Sequence, residues 1–304
     1  MDPAGRLAKA KKTRPAAGPA EWISGARLRT LPLTIAPVLV GTGAAFALGS
    51  WSLVLAILCL VVALSLQIAV NYSNDYSDGV RGADDYRIGP PRLTGSGAAD
   101  PKRVLAVAIT FFALAALAGI AVVVISGQYW LLALGAVAIA AAWFYTGGPK
   151  PYGYRGLGEV FVFIFFGPVA TAGTTFVQAG QVNLEAWLGG TAMGLIACAV
   201  LMVNNIRDAL PDRAAGKRTL AVIVGRWPSR IIYCLLLLVP YGILGFLSLF
   251  YPFAVLSFFT LLLALPACLI TVTGTTSREL ILALKLTSLT SLTFGIGLAA
   301  AFIF

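Results

Sequence analysis

The sequence predicts an all-α protein: a polytopic transmembrane bundle of about nine helices, two four-helix repeats around a central cavity plus a ninth helix. Three observations carry that expectation. Of 304 residues, 59% are hydrophobic and only 11% are charged, a balance that a soluble core of this size would not need. Apolar runs of roughly 17–25 residues, long enough to cross a bilayer, recur along the chain. Lys and Arg fall in alternate connections between those runs.

Residues 1–20 are basic and rich in Ala and Pro, which predicts a disordered tail. Its Lys9, Lys11, Lys12 and Arg14 would favour an anionic inner leaflet or act only as a topology signal. Residues 21–304 are expected to form one transmembrane domain. The basic start leads into spans with no small-residue cleavage site, so no cleavable signal is expected. The spans are placed at 30–49, 52–73, 104–126, 129–146, 159–180, 186–206, 229–250, 252–273 and 280–303. Arg27 and Arg29 precede the first. Arg81, Arg87, Arg92, Lys102 and Arg103 follow the second, and Lys150 and Arg155 follow the fourth. Arg207, Arg213, Lys217, Arg218, Arg226 and Arg230 follow the sixth; Arg278 follows the eighth and Lys285 opens the ninth. The turns at 50–51, 127–128, 181–185 and 251 hold no Lys or Arg. This pattern predicts a multi-pass membrane protein with its N-terminus in the cytoplasm and its C-terminus outside.

Two polar blocks close long apolar runs. One is Asn71-Tyr-Ser-Asn74-Asp75-Tyr-Ser-Asp78-Gly-Val-Arg81-Gly-Ala-Asp84-Asp85; the other is Asn204-Asn205-Ile-Arg207-Asp208-Ala-Leu-Pro-Asp212-Arg213. Each contains Asn-x-x-x-Asp, from Asn71 to Asp75 and from Asn204 to Asp208, at the end of the second helix of a four-helix group. Carboxylates three or four residues apart share one helix face. Charged groups at the membrane boundary are costly and mark function by default. The positive-inside pattern puts both blocks on the cytoplasmic side, and two parallel four-helix repeats would bring them face to face across a central cavity. Asp75, Asp78, Asp208 and Asp212 are therefore the candidate catalytic and metal-ligating residues, with hard oxygens suited to Mg²⁺. That ion binds one or two carboxylates and completes its shell with water and phosphate. Asn71, Asn74, Asn204 and Asn205 can reach phosphate oxygens or ligand hydroxyls. Helix capping near Gly79 and Pro211 accounts for one or two of these residues but not for two matched blocks.

Arg81, Arg92, Lys102, Lys217 and Arg218 occupy the loops beside the carboxylates and could clamp a diphosphate, although positive-inside topology also explains them. Tyr145, Lys150 and Arg155 flank a Gly/Pro turn after the fourth span and are further candidates for substrate binding. The aromatic stretch Phe161 to Pro168 suits either the wall of a tunnel for an apolar tail or ordinary packing. The chain has no His, which removes the commonest general base and transition-metal ligand. Cys59, Cys198, Cys234 and Cys268 lie in apolar runs without metal or redox spacing.

Asn74-Asp75-x-x-Asp78, Asp208-x-x-x-Asp212 and the span plan resemble the UbiA superfamily of intramembrane aromatic prenyltransferases. Arg29-Thr-Leu-Pro-Leu-Thr-Ile-Ala-Pro37, Gly89-Pro-Pro-Arg92-Leu, Tyr145-Thr-Gly-Gly-Pro149, Tyr152-Gly-Tyr154 and Gly216-Lys-Arg-Thr-Leu220 are similar to its branch acting on 1,4-dihydroxy-2-naphthoate. The resemblance covers nearly all of 22–304. It implies Mg²⁺-dependent transfer of a polyprenyl group from a polyprenyl diphosphate to the naphthoate, with loss of CO₂, in menaquinone synthesis. Two departures stand out. Position 82 is Gly where many members keep a third spaced acid, which leaves Asp84 or Asp85 to complete the metal set. Tyr145 and Lys150 are one residue further apart than the superfamily's Tyr-x-x-x-Lys.

A cation-coupled transporter would place such groups near the midplane, not beside basic loops. A CDP-alcohol phosphatidyltransferase would carry one contiguous Asp-rich block. A 4-hydroxybenzoate prenyltransferase is the nearest alternative within the superfamily. Contact with membrane lipid is expected, a nucleic-acid partner is not, and a homo-oligomer is left open.

Overall fold

The structure, a computed structural model, describes residues 16–86 and 92–304, with Asp85 and Tyr86 by backbone alone. Lys9, Lys11, Lys12, Arg14, Arg87 and Gly89 to Pro91 lie outside the described residues, as does the Asp85 side chain. Every regular element among the described residues is helical. In chain order these are α1 (Pro19–Gly25), α2 (Pro32–Ala47), α3 (Leu53–Val80), α4 (Pro101–Ser126), α5 (Leu131–Phe144), α6 (Gly158–Ile164), α7 (Ala170–Ala179), α8 (Leu184–Ala214), α9 (Leu220–Val224), α10 (Arg226–Leu247), α11 (Leu261–Thr273) and α12 (Ser277–Ile303). A π-turn over Phe165–Val169, with Pro168 inside it, joins α6 and α7 into one span.

Helix starts follow local sequence. The side chains of Ser52, Asp100 and Asn183 cap α3, α4 and α8, and Thr276 with Glu279 forms a capping box on α12. Gly127 and Gly180, at φ of 71° and 70°, close α4 and α7 in the left-handed conformation that a side chain would oppose.

The expected count of nine crossing helices is not reached by length. Among the described residues seven helical spans are long and apolar enough, α11 counting together with the 3-10 stretch Pro252–Thr260 before it, and an eighth is counted if Pro19–Thr30 and Pro32–Ala47, bent by 47°, form one span. The fourth expected span is α5, only 14 residues long. It rises about 21 Å at 1.5 Å per residue, short of a hydrocarbon core. Its apolar run reaches residue 146, but the helix stops at Phe144, ahead of a glycine pair in which Gly148 takes φ of 71°. The expected tail boundary also moves. Ala17 N–H donates to the Ala98 carbonyl and Pro19 opens α1, so structure begins before residue 21.

Conversely, α3 and α8 run past the expected ends at 73 and 206, to Val80 and Ala214. The polar blocks are therefore helical as far as Val80 and Ala214, and Asp75, Asp78, Asp208 and Asp212 stand on helix faces, while Asp84 lies beyond α3 in a short 3-10 stretch. α8 is the central helix, with 72% of its most apolar stretch buried. Its Met193, Ile196 and Met202 form one core with Tyr233, Leu237 and Leu244 of α10 and Phe294 and Leu298 of α12. Close crossings rest on glycine. A Cβ on Gly41 would fall 2.3 Å from the Thr171 carbonyl oxygen, and one on Gly167 would fall 2.5 Å from that of Gly190.

Three polar connections meet at one end of the bundle. Arg81 donates to the carbonyls of Thr146 and Gly148, Thr146 Oγ1 donates to Asn74 Oδ1 at 2.6 Å, and Arg218 N–H donates to the Tyr154 carbonyl at 2.9 Å. At the other end Ser52 N–H donates to Gln178 Oε1 and Asn183 Nδ2 to the Ala44 carbonyl, each at 3.0 Å. The basic loops after α3, α5 and α8 thus share one face of the bundle.

Candidate active site

A cavity of about 600 Å³ runs between the two halves of the bundle, within the range of small-molecule sites. Its polar end is lined by Asn71, Asn74 and Asp78 of α3 and by Asn204, Asn205, Asp208 and Asp212 of α8, with Arg92, Tyr145, Thr146, Tyr154 and Lys217 between them. The long apolar part is walled by residues of α3, α4, α5, α6 and α7, including Val62, Leu66, Ile139, Phe161, Phe165 and Phe166. Its α5 wall includes Leu132, Gly135 and Ala136, which are exposed at the protein surface, so the cavity opens sideways along α5. The aromatic stretch divides: Phe161, Phe165 and Phe166 face the cavity, while Phe163 packs against Gly194 of α8.

Asp78 is the electrostatic centre. Its side chain is 2% exposed. One oxygen takes Arg92 at 2.5 Å and Lys217 Nζ at 2.9 Å; the other accepts from the Tyr154 hydroxyl. Lys217 also lies 4.7 Å from the Tyr154 ring centroid. Burial alone would depress the Arg92 pKa, but Asp78, Asp84 and Asp75 hold it above its usual value, so the guanidinium stays charged. Burial, the Asp78 charge and the hydrogen bond to Asp78 together push the Tyr154 phenol well above its usual range.

Asp75, expected to ligate metal, does not line the cavity. It is 3% exposed, and its two oxygens accept the consecutive backbone N–H groups of Leu93 and Thr94 at 2.9 and 2.8 Å. Gly79 gives the same loop room, since a Cβ there would fall 2.6 Å from Thr94 Cβ. Asp75 therefore seats the loop that carries Arg92, and Arg92 in turn donates to the Asn74 carbonyl at 3.0 Å. Asp84 stands 3.4 Å from Arg92 and does not line the cavity either.

On α8, Asp208 is held by the buried Arg207, whose Nε donates at 2.7 Å and whose Nη2 also reaches Asn204 Oδ1 at 2.8 Å. Asn205 Nδ2 donates to Glu159 Oε1 at 3.0 Å. Asn71 ties α3 to the segment before α2 through the Ala26 carbonyl at 2.9 Å. Lys102, Lys150, Arg155 and Arg218 are exposed and outside the cavity lining, and Arg81 spends its guanidinium on the Thr146 and Gly148 carbonyls. Lys150 and Arg155 are thus not cavity groups: the turn through Gly148 carries them to the surface.

Several participants were not singled out from sequence. Tyr154 and Thr146 sit in stretches noted only as motifs. Arg207 and Arg27 looked like topology charges, yet Arg207 is 5% exposed and Arg27 lines the cavity at φ of 53°. Glu159 and Gln67, one acid and one amide inside apolar spans, were legible signals by their cost there.

The donor set suits a hard cation: carboxylate and amide oxygens gather at the polar end of the cavity, while the lining thiol of Cys59 lies at the far apolar end. Among the described residues no three acidic, Cys or His groups come close enough to cage a metal. The carboxylates of Asp78, Asp208 and Asp212 line the cavity, and Mg²⁺ takes one or two carboxylates and completes its shell with water and phosphate.

The chain matches the model of the UbiA prenyltransferase family over residues 34–280. It is similar to the 1,4-dihydroxy-2-naphthoate octaprenyltransferase of Mycobacterium tuberculosis, 49% identical over 94% of this chain and 97% of that one. The protein of the same name from Escherichia coli is 39% identical over 75% of this chain and 76% of its own. In fold it is similar to a UbiA homolog from Aeropyrum pernix K1, with a TM-score of 0.66 at 18% identity over 87% of this chain and 96% of that one. A UbiA homolog from Archaeoglobus fulgidus bound to GPP and Mg²⁺ gives 0.62 at 14% identity over 92% and 99%. With the family model spanning most of the chain and a nearly full-length relative at 49% identity, this multi-pass membrane protein belongs to the UbiA prenyltransferase family.

Proposed function

We propose that this protein transfers a polyprenyl group from an allylic polyprenyl diphosphate to 1,4-dihydroxy-2-naphthoate with loss of CO₂, giving demethylmenaquinol in menaquinone synthesis. The observation that carries the reading is the cavity itself: one long apolar channel ending in Asp78, Asp208, Asp212, Arg92 and Lys217. That shape fits a molecule with a long hydrocarbon tail and a diphosphate head. The names of the relatives supply the acceptor.

Lys217 is placed to meet phosphate oxygens as a point charge, and Arg92 as a planar donor. Asp78, Asp208 and Asp212, with Asn74 and Asn204, would hold Mg²⁺. When bound, the ion would offset the charge of the departing pyrophosphate. The apolar walls hold the tail and keep water from the allylic carbon. The bond from that carbon to the diphosphate oxygen breaks, and a bond to the ring carbon bearing the carboxylate forms. The bond from that carbon to the carboxylate then breaks, its electrons return to the ring, and CO₂ leaves. No ring proton is removed at that carbon, so a chain without His suffices.

The site is read as opening to the cytoplasm, with the N-terminus on the same side. Cysteines placed at Lys150 and Arg218 should then react with an impermeant thiol reagent only from the cytoplasmic side, and one at Gln181 only from outside. Labelling of Lys150→Cys and Gln181→Cys from the same side would refute this orientation.

The reaction is tested in membranes with carboxyl-labelled 1,4-dihydroxy-2-naphthoate and a prenyl diphosphate. One labelled CO₂ should appear per pyrophosphate released. Label retained in the prenylated product would mean simple ring prenylation, as of 4-hydroxybenzoate.

A further inference from the structure

Some helical glycines sit at close crossings and others have open space around them; of the latter, Gly242 and Gly245 of α10 lie outside the cavity lining. At Gly41, Gly167, Gly194 and Gly295 an added Cβ would lie 2.3–2.8 Å from a neighbouring helix. There glycine lets two helices approach, its usual use in membranes. Gly119 of α4, Gly135 of α5 and Gly173 of α7 are different. A Cβ on Gly119 would have its nearest neighbour at 4.0 Å, and on Gly135 and Gly173 it would meet nothing within 4 Å. None of the three has a positive φ. Glycine inside a helix costs about 1 kcal/mol relative to alanine, and here neither a turn nor a close crossing requires it. All three line the cavity.

Their depth gives the missing side chains a meaning. At 1.5 Å per residue Gly135 stands about 15 Å from Tyr145, the end of α5 beside the carboxylates. Counted from Gly158 and Pro101 at the same end of the bundle, Gly173 and Gly119 stand about 22 and 27 Å away. Cys59, the cavity residue of α3 furthest from Asp78, is about 28 Å from it. The glycines are thus spread along the apolar length, away from the charged head.

Resting on the prenyl-transfer reading above, we propose that Gly119, Gly135 and Gly173 set the tail length that the cavity accepts. Their missing side chains keep its far part open to the later isoprene units of a long donor. A bulky residue there blocks those units and leaves a short donor untouched.

The test compares geranyl diphosphate, with two isoprene units, and octaprenyl diphosphate as donors for wild type, Gly173→Leu and Gly119→Leu. Turnover of the short donor should stay near wild type, which also reports an intact fold. kcat/KM for the long donor should fall about 10-fold or more, as overfilling a packed space predicts. Gly173→Ala should shift the ratio in the same direction by less, covering the case in which leucine disturbs folding. Equal loss with both donors, or no change with either, would overturn the proposal; no change would place the later isoprene units outside this part of the cavity. Wild type prenylating naphthoate while the variants keep its donor ratio would sink this inference alone. Wild type inactive with both donors would remove the prenyl-transfer reading and this inference with it.

Discussion

Asp78→Asn is expected to lower kcat/KM for the prenyl diphosphate by at least about 100-fold. The substitution keeps the shape but leaves Arg92 and Lys217 without the carboxylate they share at 2.5 and 2.9 Å. Breaking a buried ion pair by removing one partner costs about 3–5 kcal/mol, and a metal-suited oxygen is lost as well. Asp75→Asn should behave differently. Asn still accepts one backbone N–H through its oxygen, but its amide group now faces the second donor. An unmet buried donor costs about 1–3 kcal/mol, so an effect nearer 10-fold is expected, mostly in the donor KM. The segment 92–100 should also be cleaved faster by protease, because its clamp is weakened. Steady-state kinetics on purified protein, with limited proteolysis alongside, separate the two residues. Near-normal activity of Asp78→Asn would refute the assignment of the site. Equal collapse of both variants, with protease resistance unchanged, would return Asp75 to the metal set.

The second large effect concerns the cation. Chelation should abolish transfer, and Asp208→Asn should raise the Mg²⁺ concentration for half-maximal activity by roughly 10–100-fold, the range seen when groups around a metal are lost. Asp208 lines the cavity and is held by Arg207, whose side chain is 0% exposed. Removing the charge withdraws a hard oxygen and leaves a buried guanidinium beside a neutral amide. Mn²⁺ binding followed by electron paramagnetic resonance provides a readout apart from turnover. An unchanged Mg²⁺ requirement in the variant would mean that the α8 carboxylates do not serve a cation.

Much of this was legible in the residues. Composition and run length specify a membrane bundle because apolar surface and backbone hydrogen bonds have few other solutions in lipid. The Asn-x-x-x-Asp pairs marked α3 and α8 because ionisable groups at the membrane boundary are too costly to be idle. Asp78, Asp208 and Asp212, with their asparagines, do share one cavity. Boundary placement was less legible. A hydropathy run cannot see that an Asn/Asp block continues as helix when its polar groups find partners, as in α3, or that a glycine turn stops α5 early.

The sequence by itself determined the class of the protein, the two helices whose polar blocks meet at the cavity and the kind of chemistry their side chains permit. Those follow from period, cost and charge, which are properties of single segments. Only the tertiary structure decided which identical side chains do which work. Asp75 and Asp78 are three residues apart in one motif, yet one anchors a loop by two backbone amides and the other gathers Arg92, Lys217 and Tyr154. Lys217 and Lys150 are both loop lysines, yet one points into the cavity and the other into solvent. The reason is physical: a group's role depends on which partners satisfy it when buried, and those partners come from distant segments that meet only when the helices pack.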